Sequence, residues 1–303
     1  MSAEIYEILD RRFASLVNTT ARLDLLDATS RWAEGPAYVP AGRYLLWSDV
    51  PSDRIMRWDE DSGHVSVFRA PSQNANGNTL DRQARLVTCE QLTRRVTRTE
   101  HDGSITVVAD RFDGQRFNSP NDVIVGSDSA IWFTDPTYGI DSDYEGRRAT
   151  SEIGRSRLYR VDPSDGSVSV AADDFVQPNG LALSVDERRL FVSDTGRTHV
   201  ADGPAHIRVF DVDAGSLTCG DVFAECSSGM FDGFRLDEAG NVWTSAGDGV
   251  RCYEPGGDLM GIIRVPDPVA NVCFGGPARN RLFICATDSV YAVYVRANGI
   301  KLV

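Results

Sequence analysis

The chain has 303 residues, of which 42% are hydrophobic and 25% charged. That balance allows a full buried core and excludes disorder as a description of the whole chain. Asp plus Glu is 44 against 31 Lys plus Arg, a formal charge of −13. So acidic a chain repels phosphate backbones and anionic membrane surfaces and favours cations. No run approaches the roughly 20 apolar residues of a membrane span.

At the N-terminus, Glu4, Glu7 and Asp10 break up any signal-peptide pattern. Ile5, Ile8, Leu9 and Phe13 recur at helical spacing and predict one face of a short helix, within an N-terminal helical extension over residues 1–20. From residue 21 onward the chain reads as β-rich runs broken by Gly, Asp, Asn and Pro, such as RYLLWSD (43–49), RLYRVDPSDGSVSV (157–170) and NVWTSAGDGVRCYEPGGDLMGIIRV (241–265). Turn pairs such as Asp102-Gly103, Asp165-Gly166 and Gly256-Gly257 separate the runs as hairpins do.

One strand type recurs six times: LLWSD (45–49), LVTCE (86–90), IWFTD (131–135), LFVSD (190–194), VWTSA (242–246) and LFICA (282–286). About 15 positions ahead of each end lies a second recurrent element, Glu34-Gly, Asn76-Gly, Asn121-Asp, Asn179-Gly, Asp232-Gly and Asn271-Val. The units follow each other at about 47 residues, the period of a four-stranded propeller blade. The prediction is an all-β fold: a single six-bladed β-propeller over 21–303, preceded by the short helix. One blade cannot bury its own faces, so the ring forms as a unit. Strand-like ARLDLL (21–26) is expected to complete the last blade, whose own fourth strand, GIKLV, is weak. Polar insertions near 139–156 and 195–206 should overhang one face.

In a propeller the first strand of each blade lines the central channel. Glu34, Asn76, Asn121, Asn179, Asp232 and Asn271 then form a ring at one depth. Asp49, Glu90, Asp135 and Asp194, at the ends of the returning strands, lie on the same face. The ring offers only oxygen and amide groups, a donor set for a hard cation, with calcium the best fit. The competing reading is turn chemistry, since Asn and Asp before Gly are common turn residues. Six oxygen-bearing side chains in one register, two of them acidic, favour the cation.

The six cysteines form no CxxC and read as buried thiols of a reduced compartment, with a Cys219–Cys226 bridge as the alternative. The expected location is the cytoplasm, or the periplasm if a leader has been removed. The four histidines show no metal spacing, although His199 sits in an overhanging loop. Trp47, Trp132 and Trp243 read as core. No Walker motif and no serine nucleophile elbow is present, which argues against phosphoryl transfer and an α/β-hydrolase mechanism.

WAEGPAY (32–38), NSPNDVIV (118–125), IWFTDPTYG (131–139), QPNGLALS (177–184) and MFDGFRLD (230–237) together resemble the gluconolactonase, regucalcin and luciferin-regenerating superfamily, closest to its bacterial gluconolactonases. The resemblance implies a six-bladed propeller with one divalent cation in the channel, calcium favoured and zinc, manganese or magnesium the alternatives. By motif its ligands are Glu34, Asn121, Asn179 and Asp232, and Asp232 is also the candidate catalytic base or nucleophile, with ligation alone as the alternative. Asn76 and Asn271 then face the substrate, with Asn118 and Tyr138 as further candidate contacts. Asp122 should point away from the channel. Where regucalcin carries a substrate-contacting Arg, this chain has Ser119. The implied activity is hydrolysis of a sugar-acid lactone, foremost D-glucono-1,5-lactone. The alternatives are another lactonase, an organophosphate triester hydrolase, or a non-catalytic calcium-binding propeller. The expected partner is a small lactone, with neither nucleic acid nor membrane, and the expected state a monomer or weak homodimer.

Overall fold

The computed structural model describes residues 5–301. Its first blade runs outward through Ala33–Val39, Tyr44–Asp49, Arg54–Asp59 and Val65–Arg69. Five more antiparallel sheets repeat that order, with inner strands Ala75–Leu80, Val123–Val125, Pro178–Leu183, Phe234–Leu236 and Val269–Gly275. Each inner strand contacts the inner strands on either side, and the sixth meets the first. The fold is a closed six-bladed β-propeller.

The returning strands are apolar on both sides because neighbouring blades cover both faces. Trp47, Phe133, Trp243 and Phe283 are fully buried there, and Trp132 is buried beside them. The outermost strands face water and carry exposed Val67, Ile105 and Val222. Burial therefore falls from the channel outward, and the site is built on the most rigid elements.

The ring is closed by the N-terminal segment. Asp24–Asp27 pairs with Ser289–Tyr294 as the outer strand of blade six. Residues 299–301 form no such strand; Gly299 only bridges to Asp237. The expected helix over Ile5 to Phe13 is replaced by two elements. Tyr6–Ile8 pairs with Leu259–Ile263 as a fifth strand of blade five, and the helix is confined to Arg11–Leu16. So short a helix gains little from propensity alone, whereas the free edge of blade five offers a ladder to Tyr6–Ile8. Ile8 and Leu9 are exposed; Phe13 is the residue that anchors the segment. Asp10 caps the helix through the Arg12 N–H at 2.8 Å. Residues 1–4 of the expected extension lie outside the described residues.

All six cysteines are free, so the Cys219–Cys226 alternative does not hold. Five are buried; Cys219 is exposed, contrary to the reading of the whole set as buried thiols.

Phe13 is fully buried and packs 5.9 Å, centroid to centroid, from the Trp243 ring. Phe13→Ala should lower the unfolding free energy in denaturant titration by about 3–5 kcal/mol. A change below about 1 kcal/mol would show that the N-terminal segment is not part of the cooperative unit.

Candidate active site

The ends of the returning strands hold the ring in place. Asp49 accepts hydrogen bonds from the backbone N–H groups of Arg31 and Trp32 at 2.8 and 3.4 Å. Asp135 takes those of Asn118 and Ser119 at 2.9 and 2.8 Å. Asp194 takes those of Val176 and Gln177 at 2.9 and 2.8 Å. In all three blades the clasped residues stand third and second ahead of the ring member, Glu34, Asn121 or Asn179.

The residue before each clasp reaches the other way. The hydroxyls of Ser48, Thr134 and Ser193 donate to the backbone carbonyls of Asn76, Asn179 and Asp232 in the next blade, at 2.7, 2.8 and 2.8 Å. Gly77 N–H donates to Asn121 O at 2.7 Å, and Gly180 N–H to Asp232 O at 3.1 Å. A Cβ on either glycine would overlap the next blade's backbone. The Asn-Gly pairs thus mark close inter-blade approach, which turn chemistry alone does not explain. Glu90, one methylene longer, departs from the pattern: it binds Thr93, Arg95 and Thr97.

A cavity of about 270 Å³ opens over the ring. Glu34, Asn76, Asn121, Asn179 and Asp232 lie at its base. Trp32, Met230, Pro268 and Val269 supply an apolar wall, and Tyr138, Glu145, Thr195 and Thr198 come from the overhanging loops. The Tyr138 hydroxyl is fixed by Thr195 and Thr198 Oγ1 at 2.7 and 2.8 Å. A larger cavity, about 330 Å³, opens at the opposite channel mouth between Tyr38, Leu80, Val125 and Phe274, but no ring side chain lines it.

Two candidate contacts are turned to other work. Asn118 donates to the carbonyls of Asp135 and Arg155 and accepts from Ser151, so its amide is fully engaged away from the cavity. Asn271 donates to Glu34 Oε2 at 3.0 Å and accepts from Val272 N–H. It orients Glu34 and does not line the cavity. Asp122 also lies outside the cavity, with one oxygen 3.7 Å from the Arg235 guanidinium. Ser119 donates to Pro136 O and receives Gly139 N–H, which pins the start of an overhanging loop. His199 pairs with Asp141 at 2.7 Å and joins the two overhangs. Sequence reasoning missed Glu145, Trp32 and the two threonines. The length of the loop inserts was the one available signal.

Burial pushes the Glu34 carboxyl up to about 7, against the hydrogen bonds from Asn271 and Gly35. Asp232 is pushed well above the usual range, first by burial and then by the nearby charges of Glu34 and Asp122. Neither forms an ion pair among the described residues. The Asn121 amide, though buried, hydrogen-bonds to no described side chain. A buried Glu34 and a part-buried Asp232 without a counter-charge, together with free amide oxygens, fit a hard divalent cation. Among the described residues no three His, Cys, Asp or Glu side chains are placed to hold one metal ion together, so amide oxygens must complete any such site.

A closed propeller with an oxygen-only ring under a small cavity defines the class of protein. The SMP-30/Gluconolactonase/LRE-like region matches residues 32–288, and the chain belongs to that family. A gluconolactonase of Zymomonas mobilis is 29% identical over 95% of this chain and 85% of its own. A pentonolactonase of Haloferax volcanii is 28% identical over 86% of this chain and 83% of its own. The solved structure of a gluconolactonase of Xanthomonas campestris is 37% identical, with a TM-score of 0.90, covering 96% of this chain and 94% of that one.

The raised Glu34 pKa fixes a pH dependence. Below about 4.5 the group is protonated both folded and unfolded. Between there and about 7 only the unfolded chain ionises freely, so stability falls as pH rises. In chelator, urea unfolding should show Glu34→Gln gaining on the wild type from pH 5 to pH 8, by up to about 3 kcal/mol. A divalent cation should restore wild-type stability at pH 8 by mass action. Parallel pH profiles for the two proteins would show that Glu34 is not the strained acid.

Proposed function

We propose that this protein hydrolyses sugar-acid lactones, D-glucono-1,5-lactone to gluconate foremost, with a divalent cation, calcium by its donor set, at the channel ring. The observation that carries the reading is the pair of uncompensated carboxylates, Glu34 buried and Asp232 part-buried, among amide oxygens lining a sugar-sized cavity. The lactonase names of the relatives support the substrate class.

Glu34, Asn121, Asn179 and Asp232 would hold the cation, which when bound supplies Lewis-acid polarisation of the lactone carbonyl. Glu34 is the fixed member, held by the Asn271 amide and Gly35 N–H. Asp232 is the residue placed to handle protons. Its backbone is locked by Ser245 Oγ at 2.8 Å and by Ser193 through its carbonyl. Burial and the neighbouring carboxylates Glu34 and Asp122 raise its carboxyl well above the usual range, the direction that strengthens a general base. Water adds to the lactone carbon as Asp232 takes one of its protons; the bond from that carbon to the ring oxygen then breaks, and Asp232 returns the proton to the departing oxygen, giving the open hydroxy acid. The apolar wall keeps bulk water from the opposite side. Asn76 offers the substrate a donor and an acceptor that no other described side chain uses.

Asp232→Asn should keep the fold and lower lactone turnover about 10²–10⁴-fold, the usual weight of a general base. The check is acid release in a pH-stat at saturating calcium, corrected for spontaneous opening. Undiminished turnover would leave Asp232 a ligand at most. No chelator-sensitive turnover by the wild type on any sugar lactone would overturn the proposed function.

A further inference from the structure

The loop that follows blade three's second strand is long and well built. Arg147 N–H donates to Gly139 O and Ala149 N–H to Ile140 O, both at 3.0 Å, so the loop folds back on its own start. Gly146 lies against the Gly139 carbonyl so closely that a Cβ would overlap it. Asp141, braced by Thr137 and His199, ties the loop to the neighbouring overhang. This frame carries Glu145 into the cavity beside the ring.

Glu145 accepts no hydrogen bond and pairs with no cation among the described residues. Its ordinary acidity is weakened by burial and by Asp141, and its charge in turn opposes those of Glu34 and Asp232. A third carboxylate here therefore works against the folded state. A carboxylate is an acceptor only, with room for several donors, and the hydroxyls of a polyol are donors of that kind. The wall opposite, Trp32, Met230 and Val269, suits the C–H edges of a sugar ring.

We infer that Glu145 is a substrate-binding residue: from the loop it accepts hydrogen bonds from lactone hydroxyls remote from the reacting carbonyl. It selects neutral polyhydroxylated lactones and disfavours lactones bearing an added negative charge. This inference rests on the proposed lactonase activity.

The experiment compares wild type, Glu145→Ala and Glu145→Gln on three substrates: D-glucono-1,5-lactone, δ-valerolactone, which has the same ring without hydroxyls, and 6-phospho-D-glucono-1,5-lactone. Glu145→Ala should lower kcat/KM on gluconolactone roughly 10- to 150-fold, the range for losing a charged hydrogen bond, chiefly through KM. Valerolactone turnover should stay within about twofold, since no hydroxyl is recognised. Glu145→Gln should narrow the preference for the neutral over the phosphorylated sugar by about tenfold or more, through removal of like-charge repulsion. Thermal unfolding of both variants should equal or exceed that of the wild type, because no protein contact is lost. Equal losses on gluconolactone and valerolactone, or no loss on either, would overturn the role of Glu145 while leaving the lactonase reading intact. Failure of the wild type on all three substrates would overturn both.

Discussion

The structure depends on the side-chain pair that ends the second strand of a blade. Its carboxylate bends back to the N–H groups entering the same blade, while its hydroxyl reaches forward to the next blade's ring carbonyl. Ionised acceptors make shorter and stronger hydrogen bonds than neutral ones. Each such pair therefore fixes both the register within a blade and the step between blades. The clasp is present behind Glu34, Asn121 and Asn179, three of the four implied ligands. Asp232 is held by Ser245 instead, and in blade two, whose ring member is Asn76, the Asn74 N–H is taken by Asp53 of the preceding blade rather than by the end of the second strand. The ring positions are braced from both sides, as a site that cannot tolerate misplacement by a fraction of an ångström requires.

Those braces hold together groups that repel one another. Glu34 and Asp122 are buried and Asp232 part-buried close to them, and the Arg235 guanidinium stands 3.7 Å from Asp122 alone. Arg235 thus compensates the acid that does not line the cavity and leaves uncompensated the two that do. A fold can hold such a pair only where the backbone is over-determined by other contacts. Here the belt of inter-blade hydrogen bonds and the fully buried Trp47 and Trp243 supply them. The acids are strained by their surroundings, and the proposed cation at the ring would relieve that strain.

Much of this was legible in the sequence. The six strand repeats and the six oxygen-bearing positions mark the blades, and the structure places five of the six at the base of one cavity. Periodicity reports register well, because each blade repeats the same burial. It does not report how a side chain spends its hydrogen bonds. Asn271 stands in register with the others, yet its amide turns to Glu34; Asn118 sits in a matching motif, yet serves the backbone. Asp49, Asp135 and Asp194 were legible as acids on the ring's face, but not as clasps. Tyr6–Ile8 escaped because its partner, Leu259–Ile263, lies at the other end of the chain. Short segments take their structure from such tertiary context more than from local propensity.

Glu145 was missed for a further reason: it belongs to no repeat. On the proposed function the ring polarises the lactone and handles protons, and Asn76 is its one member left to meet substrate hydroxyls. Discrimination must come from groups reached only by the distal parts of a substrate, and those lie at the rim. The blade-three loop there is pinned by Ser119 and by the Asp141–His199 pair and folds back on its own backbone through Arg147 and Ala149, but it belongs to no repeat. A change of residue at the loop tip leaves the clasps, the belt and the acid pair untouched. The propeller therefore separates the two demands on the site: the repeat holds the reacting groups against their own repulsion, and the inserts decide which molecule is admitted to them.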